Sequence, residues 1–184
     1  MSGKNEISPH FETKFCSFED GLDVDADNTI SGYASIFGAR DQGGDIVQQG
    51  AYANCLKKRT KSGFKVKMLW QHDPFQPIGV WEVVKEDSKG LFVKGRLLPE
   101  VQAGREALAL LQAGAIDGLS IGYRTVQSEK SNNNSRLLHE IELWEVSLVT
   151  FPMLPEARVQ PSSDEAALAQ TLADTFRQAR DMLA

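Results

Sequence analysis

The sequence predicts an α+β domain in which strands dominate. Of its 184 residues, 41% are hydrophobic and 24% are charged, a composition typical of a soluble protein with enough chain to bury a core. Short runs of alternating apolar and polar residues recur along most of the chain, whereas apolar residues at helical spacing occur in fewer places. We therefore expect one domain at residues 1–157, followed by a helical tail at 158–184.

The strand predictions follow from period-two patterns bounded by turn residues. Residues 30–37 show this pattern well, because alternate apolar or small residues are separated by polar or small ones. Pro74 and Pro77 are expected to break the chain after the third strand, and residues 41–45 and 128–135 have the composition of a turn and an exposed loop. The predicted strands are residues 11–18, 30–37, 66–70, 78–84, 91–98, 118–126 and 137–151.

Three helices are predicted. A short one covers residues 50–58, and an amphipathic one covers residues 101–112 and ends before Gly114. The third forms the tail, where Ser162 and Glu165 have the spacing of a capping box. The apolar stripe of the tail helix consists of Leu168, Leu172, Phe176 and Leu183.

Composition disfavours several classes of function. No apolar run approaches the roughly 18 residues of a membrane span, and the polar start lacks the apolar stretch of a secretory signal, so we expect a protein that works inside a cell without binding a membrane. Cys16 and Cys55 are too few for a disulfide framework. The basic cluster at 57–67 contains one aromatic residue, Phe64, which favours a solvated face over a nucleic-acid site.

No metal site is predicted. The acidic run at 23–27 imitates the start of a calcium-binding loop, but Asn28 and Ala34 stand where a glycine and a bidentate glutamate are required. Histidine occurs only three times, and no pair has the His-x-x-x-His spacing of a compact zinc site. His10 lies in a polar region and is assigned no role.

Two residues are candidates for hydrolytic chemistry. His72 follows an apolar strand at a turn beside a proline, where rigid scaffolds often present functional side chains. Ser120 lies between Gly118 and Gly122, which would let a substrate approach the backbone, and its hydroxyl would need a neighbouring base. We expect residues 118–122 to begin a strand rather than to form the nucleophile elbow of an α/β-hydrolase, which disfavours an esterase or lipase. Taken singly, each residue also has a structural explanation.

A third group would hold the imidazole in one tautomer and stabilise its cation. His139 and Glu145 are both candidates. In a regular strand they share a face but lie about 20 Å apart, so only one of them could touch His72. Glu145 stands among apolar residues, where an unpaired carboxylate is costly to bury, whereas His139 adjoins the polar loop. His139 and Glu145 both remain candidates for the third group.

Several ordered motifs together resemble one protein family. The motifs are GYASIF at 32–37, GDIV at 44–47, GAY at 50–52, WQHDP at 70–74, PIG at 77–79, GLSIGY at 118–123 and WEVSLVTFP at 144–152. Over about 30–157 the sequence resembles the prohead serine proteases of tailed bacteriophages, whose fold is related to the herpesvirus assemblins. The resemblance implies a mainly antiparallel, closed or nearly closed β-barrel with peripheral helices.

The same resemblance implies a serine endopeptidase. It assigns His72 as general base and then acid, Ser120 as nucleophile, and Glu145 as the orienting group because of the WEVS motif. The herpesvirus relatives use a histidine as third member, which keeps His139 as the alternative. Main-chain donors near Ser120 are the expected oxyanion hole, with Gly122 as one element. No cofactor or metal is expected.

The expected substrates are a scaffold protein or scaffold domain, the major capsid protein and the protease's own chain. The expected place of action is the immature head in the host cytoplasm, and homodimers or higher homo-oligomers are included in the expectation. The alternative is a catalytically inactive capsid-assembly or scaffold-binding protein of the same fold. The presence of both His72 and Ser120 argues against that alternative.

Overall fold

The computed structural model describes residues 12–16, 27–131 and 135–152 together with residues 154, 157 and 159. His10, the acidic residues at 23–25 and the predicted tail helix at 162–183 lie outside the described residues. The described elements are β1 (Glu12–Cys16), β2 (Thr29–Ile36), β3 (Asp45–Val47), α1 (Ala53–Ser62), β4 (Lys67–Trp70), β5 (Asp73–Glu86), β6 (Gly90–Leu97), α2 (Gln102–Gln112), β7 (Gly118–Lys130) and β8 (Arg136–Val149).

The strands form one mainly antiparallel sheet in the order β1-β7-β8-β4-β5-β6-β2, with β3 added beside β8. The long strand β8 pairs antiparallel with β7 and parallel with both β3 and β4. Main-chain contacts near residue 159 link β2 to β7, because Gly32 bridges Val159 and the Leu119 N–H donates to the Ala157 carbonyl at 2.9 Å. This half-barrel with two helices confirms the predicted architecture.

The core lies between the sheet and the helices. On α2, Ala107 and Leu111 are fully buried, and each large apolar side chain buried in this way stabilises the fold by roughly 1.5–3 kcal/mol. The helix comes very close to the sheet at Gly104, where a Cβ would lie 2.7 Å from the carbonyl oxygen of Ile78 in β5. Neither described helix has the length and apolar character needed to cross a membrane.

Strands β5 and β3 differ most from the predicted elements. Strand β5 begins at Asp73, so Pro74 and Pro77 lie inside it instead of interrupting the chain. The prolines are tolerated because β5 pairs with β6 only from Gly79 onward, and the proline-containing half has a single neighbouring strand, β4. The strand β3 was not predicted, because three residues are too few to show a period.

The ends of the other elements agree less evenly, because α1 covers Ala53–Ser62 instead of 50–58 and β7 continues to Lys130, into the loop predicted at 128–135. Helix α2 ends at Gln112 and Gly114 follows with a φ of 66°. The core extends to Val159, which is 1% exposed, two residues past the predicted domain boundary at 157. The division of the chain into a domain and a tail stays a prediction.

Candidate active site

His72 lies in a tight turn between β4 and β5. Gln71 and His72 are the two residues between the paired Trp70 and Asp73, and both have positive φ values, 50° and 63°. A two-residue hairpin of type I′ requires two such residues and usually contains Asn-Gly, so the turn holds its histidine in a strained backbone region. Strain of this kind at a non-glycine residue is frequent at functional sites.

Hydrogen bonds to β8 hold this turn in place. The Gln71 N–H donates to the Leu148 carbonyl at 2.9 Å, and the Gln71 side-chain amide donates to Thr150 Oγ1 at 2.7 Å. The His72 N–H donates to Ser147 Oγ at 3.2 Å. The last residues of β8 and the residue after it therefore determine where the imidazole stands.

The imidazole of His72 contacts a buried carboxylate. His72 Nδ1 lies 2.6 Å from Glu145 Oε1, and Glu145 is 5% exposed. The other carboxylate oxygen accepts a hydrogen bond from Ser147 Oγ at 2.5 Å. An ionised carboxylate only accepts hydrogen bonds, so this contact favours the tautomer with its proton on Nδ1. Nε2 is then the ring nitrogen that can take up a proton.

A bulge in β8 turns Glu145 toward the site. Gly122 pairs with Glu145 and Tyr123 pairs with Leu143, so Trp144 is an extra residue on β8. Leu143 and Val146 both belong to the core, although they are three residues apart, and Glu145 points away from it. A bulge that redirects one side chain beside an active site is a recurrent feature of sheets.

Helix α1 binds the backbone of this bulge. The Leu143 N–H donates to Cys55 Sγ at 3.3 Å, and the Arg59 guanidinium donates to the Leu143 carbonyl. Arg59 Nε also lies 3.3 Å from Cys55 Sγ. Both main-chain polar groups of Leu143 are therefore satisfied by helix side chains, which stabilises the position of the bulge.

Ser120 lies in the neighbouring strand, opposite Ser147 in the β7–β8 register, and is fully buried. Side chains that are directly opposite in an antiparallel pair point to the same face, so Ser120 shares its face with Ser147. Gly122 is opposite Glu145, and a Cβ there would lie 2.1 Å from Glu145 Oε1. Glycine at 122 thus makes room for the carboxylate. Its predicted part in an oxyanion hole stays a prediction.

The backbone around Ser120 separates this site from an α/β-hydrolase elbow. The letters of residues 118–122, GLSIG, match the Gly-x-Ser-x-Gly pattern of that elbow. All five residues nevertheless lie within strand β7, and no strand-to-helix turn occurs there. The expected strand is confirmed, and the match in letters has no structural counterpart.

The alternative third member, His139, lies elsewhere on β8. Its Nε2 is 3.5 Å from Glu129 Oε2, and the two side chains are 37% and 71% exposed. His139 is itself an extra residue, because Ser128 pairs with Leu138 and Gln127 pairs with Glu140. The shared-face argument for a regular strand therefore does not apply to β8. The structure gathers His72, Ser120 and Glu145 around Ser147, and not His139.

Asp73 directly follows His72 in the sequence and is a second carboxylate near the turn. It accepts hydrogen bonds from the Gln76 side chain at 2.8 Å and the Phe75 N–H at 2.9 Å. These bonds, Gln76 first, hold the pKa of Asp73 below its ordinary value. Asp73 therefore stays ionised at neutral pH and supports the start of β5.

Within the part of the chain that the structure describes, no cluster of three or more His, Cys, Asp or Glu side chains could hold a metal ion.

Sequence reasoning missed Ser147 as a member of the site. Its spacing of two residues from Glu145 was the available signal, because alternate residues of a strand share a face. The contacts of Cys55 and Arg59 with the bulge gave no comparable signal, since they join residues more than eighty positions apart.

Comparisons of the sequence with known proteins give matches to phage proteins. A family model described as caudovirus prohead serine protease matches residues 18–171. The prohead protease of Enterobacteria phage HK97 is 34% identical over 133 residues, which cover 71% of this chain and 58% of that protein. The capsid polyprotein of Pseudomonas phage PAJU2 is 31% identical over 101 residues, 51% of this chain and 15% of the polyprotein. The chain thus spans less than two thirds of either relative.

Comparison of the fold with solved structures gives matches to viral proteases. The bacteriophage T4 capsid assembly protease superposes with a TM-score of 0.59 at 17% identity, over 78% of this chain and 97% of that one. The varicella-zoster virus protease gives a TM-score of 0.40 at 12% identity, over 71% of this chain and 62% of that one. The likeness to the T4 protease shows a shared fold.

Proposed function

The chain belongs to the family of caudovirus prohead serine proteases, and from this premise we propose that it is a serine endopeptidase of phage prohead maturation. The observation that carries the proposal is the 2.6 Å contact between His72 Nδ1 and the buried Glu145, beside the strand that bears Ser120. In this proposal Ser120 is the nucleophile, His72 the general base and then acid, and Glu145 the orienting group.

The chemistry would proceed through an acyl-enzyme. Ser120 Oγ attacks the carbonyl carbon of the scissile peptide bond while His72 Nε2 takes the hydroxyl proton. The imidazolium that forms is stabilised by Glu145, and it then gives its proton to the leaving amine. A water molecule, activated by the same imidazole, hydrolyses the ester. Main-chain N–H groups near Ser120, with Gly122 among them, are proposed to bind the oxyanion. The steps need no metal or cofactor.

The proposed substrates are a scaffold protein or scaffold domain, the major capsid protein and the chain itself, cleaved inside the immature head in the host cytoplasm. The names of the relatives support this choice, since they are a prohead protease, a capsid polyprotein and a capsid assembly protease. A homodimer or higher homo-oligomer remains part of the proposal.

The second candidate is a catalytically inactive capsid-assembly or scaffold-binding protein. The observation in its favour is that Ser120 is 0% exposed. For the protease, a substrate must gain access to Ser120 when it binds.

Active-site labelling separates the two candidates. The native protein is treated with a fluorophosphonate and the labelled peptide is located by mass spectrometry, with the Ser120→Ala and Ser35→Ala variants as controls. Ser35 is a buried serine of β2. We expect label on Ser120 in the native protein and in the Ser35 variant. Cleavage of purified scaffold or capsid protein without label on Ser120 would remove Ser120 from its role. Absence of both label and cleavage would favour the inactive protein.

Self-cleavage is tested separately by an intact-mass time course of freshly purified protein. We expect a discrete loss of mass in the native chain and none in the Ser120→Ala variant. Loss of the same fragment from both proteins would assign the cleavage to another protease.

A further inference from the structure

We propose that Ser147 is a positioning residue of the active site, because its hydroxyl connects the backbone of His72 to the carboxylate that holds the ring of His72. The inference rests on the proposed function, in which His72 is the general base. Its hydroxyl oxygen takes part in two hydrogen bonds, with Glu145 Oε2 at 2.5 Å and with the His72 N–H at 3.2 Å.

The directions of the two hydrogen bonds follow from the groups involved. A backbone N–H can only donate, so the His72 amide donates to Ser147 Oγ. An ionised carboxylate can only accept, so the single hydroxyl proton of Ser147 goes to Glu145 Oε2. With His72 Nδ1 bound to Glu145 Oε1, the chain of hydrogen bonds starts and ends on His72. Both the ring and the backbone of the histidine are held by one connected set of groups.

The position of Ser147 in the sheet explains how one side chain can do this. In the register of β8 it is opposite Ser120 of β7 on one side and opposite Leu69 of β4 on the other. It therefore lies between the strand of the proposed nucleophile and the strand that leads into the His72 turn. Ser147 is fully buried, and a hydrogen bond to a charged carboxylate is stronger away from water than at the surface.

The hydrogen bond from the His72 N–H to Ser147 Oγ is important because the turn is strained. His72 has a φ of 63°, a conformation that a histidine adopts only when its surroundings hold it there. Loss of the acceptor for the His72 N–H would remove one of the anchors of the turn. The Gln71 bonds to Leu148 and Thr150 would remain. The turn is therefore expected to persist with a less well defined histidine.

The same geometry argues against Ser147 as the nucleophile. Its proton is donated to Glu145, whose other oxygen binds Nδ1, and a nucleophile in this mechanism must instead give its proton to Nε2. Fluorophosphonate label on Ser147 instead of Ser120 would overturn the positioning role.

The first test compares the kinetics of three variants. Ser147→Ala should lower kcat about 10- to 100-fold, the range expected for one lost hydrogen bond to a charged group, with KM within about 3-fold. Ser147→Thr keeps the hydroxyl and should restore most of the activity. Ser35→Ala is the matched control, since it removes the hydroxyl of a buried serine in β2. Unchanged kcat in the Ser147→Ala variant would overturn the proposal.

The second test measures the proton resonance of the His72 ring N–H. Protein labelled with ¹⁵N-histidine should show a downfield N–H proton resonance from the Nδ1–Glu145 hydrogen bond, assigned by its loss in the His72→Ala variant. We expect this resonance to shift or broaden in Ser147→Ala and to stay unchanged in Ser35→Ala. An unchanged resonance in a folded Ser147→Ala protein would contradict the positioning role.

The two tests also separate failure of this inference from failure of the proposed function. If the native protein neither cleaves nor takes up label, the protease proposal fails, and the resonance alone decides the role of Ser147. If native cleavage is normal and Ser147→Ala matches it, only the inference fails. If the alanine variant does not fold, Ser147→Cys, similar in size and a weak donor, is measured in its place.

Discussion

Two histidine–glutamate pairs involve strand β8, and they differ in distance, in burial and in the hydrogen bonds around them. His72 and Glu145 lie 2.6 Å apart, with side chains 15% and 6% exposed. His139 and Glu129 lie 3.5 Å apart, with side chains 37% and 71% exposed. The first pair is part of a connected set of hydrogen bonds that includes Ser147 and a strained turn. The second joins neighbouring strands at the surface.

The difference shows that burial and additional donors decide what such a pair can do. An exposed ion pair contributes about 0–1 kcal/mol and is screened by salt. A carboxylate as buried as Glu145 would be costly without partners, and here each of its oxygens has one. That arrangement orients an imidazole, which a solvated pair cannot do. A histidine and an acid in the sequence are therefore insufficient to identify the site.

Breaking the buried site itself should give the largest effect. His72→Ala and Ser120→Ala should each lower kcat/KM by a factor on the order of 10⁴–10⁶, and the double variant should be little worse than either. The reason is that, in the proposed mechanism, a base without its nucleophile, or the reverse, contributes little. Steady-state cleavage of a purified scaffold substrate measures this. Losses that multiply in the double variant would show that the two residues act independently.

Exchanging one carboxylate in each pair tests the comparison directly. Glu145→Gln keeps the shape but removes the charge that is proposed to stabilise the imidazolium, and should lower kcat by a factor of about 10³–10⁴. Glu129→Gln, the matched change in the exposed pair, should leave kcat within about 2-fold, as should His139→Ala. Retained activity in Glu145→Gln together with loss in His139→Ala would transfer the role to His139.

Most of the fold could be predicted from the sequence because local patterns determine it. The strand at 30–37 and the helix at 101–112 were found within one residue of β2 and α2 at each end, since both show a clear period. The interruption expected at Pro74 and Pro77 was wrong. Whether a proline breaks a strand depends on which edge lacks a neighbour, and this is a property of the sheet.

The proposed site was predictable in its residue types but not in its geometry. His72 and Ser120 stood out because of a turn and two glycines. The choice of Glu145 over His139 depended on its apolar neighbours and on the WEVS motif, whereas the bulge at Trp144 that turns Glu145 toward the site is held by contacts between residues distant in the sequence. The role of Gly122 beside Glu145 likewise depends on the register of β7 against β8.

The contrast between buried and exposed pairs should also appear in stability. Arg136 donates to both oxygens of Asp45, at 2.9 and 2.6 Å, and the Asp45 side chain is 11% exposed. Arg124 donates to Glu142, whose side chain is 39% exposed. In urea unfolding, Arg136→Ala should lower the free energy of unfolding by about 1–3 kcal/mol and Arg124→Ala by less than about 1 kcal/mol. Equal losses would mean that burial does not distinguish the two pairs.

The smallest effect is expected at a partly buried contact, where Tyr33 donates to Asp87 Oδ2 at 2.8 Å. This hydrogen bond raises the pKa of Tyr33 above 10.0 and is the main cause that lowers the pKa of Asp87 below 3.8.

The raised pKa of Tyr33 contributes stability that is lost as the pH rises through that pKa. The lowered pKa of Asp87 contributes stability that is lost as the pH falls through that pKa. Tyr33→Phe should therefore lower the urea midpoint slightly and by a constant amount between these limits. The difference from the native protein should shrink as the pH falls below 3.8, because Asp87 becomes protonated and accepts a weaker hydrogen bond. Urea midpoints measured at several pH values for both proteins test this, and a difference that stays the same in acid would show that the charge of Asp87 plays no part.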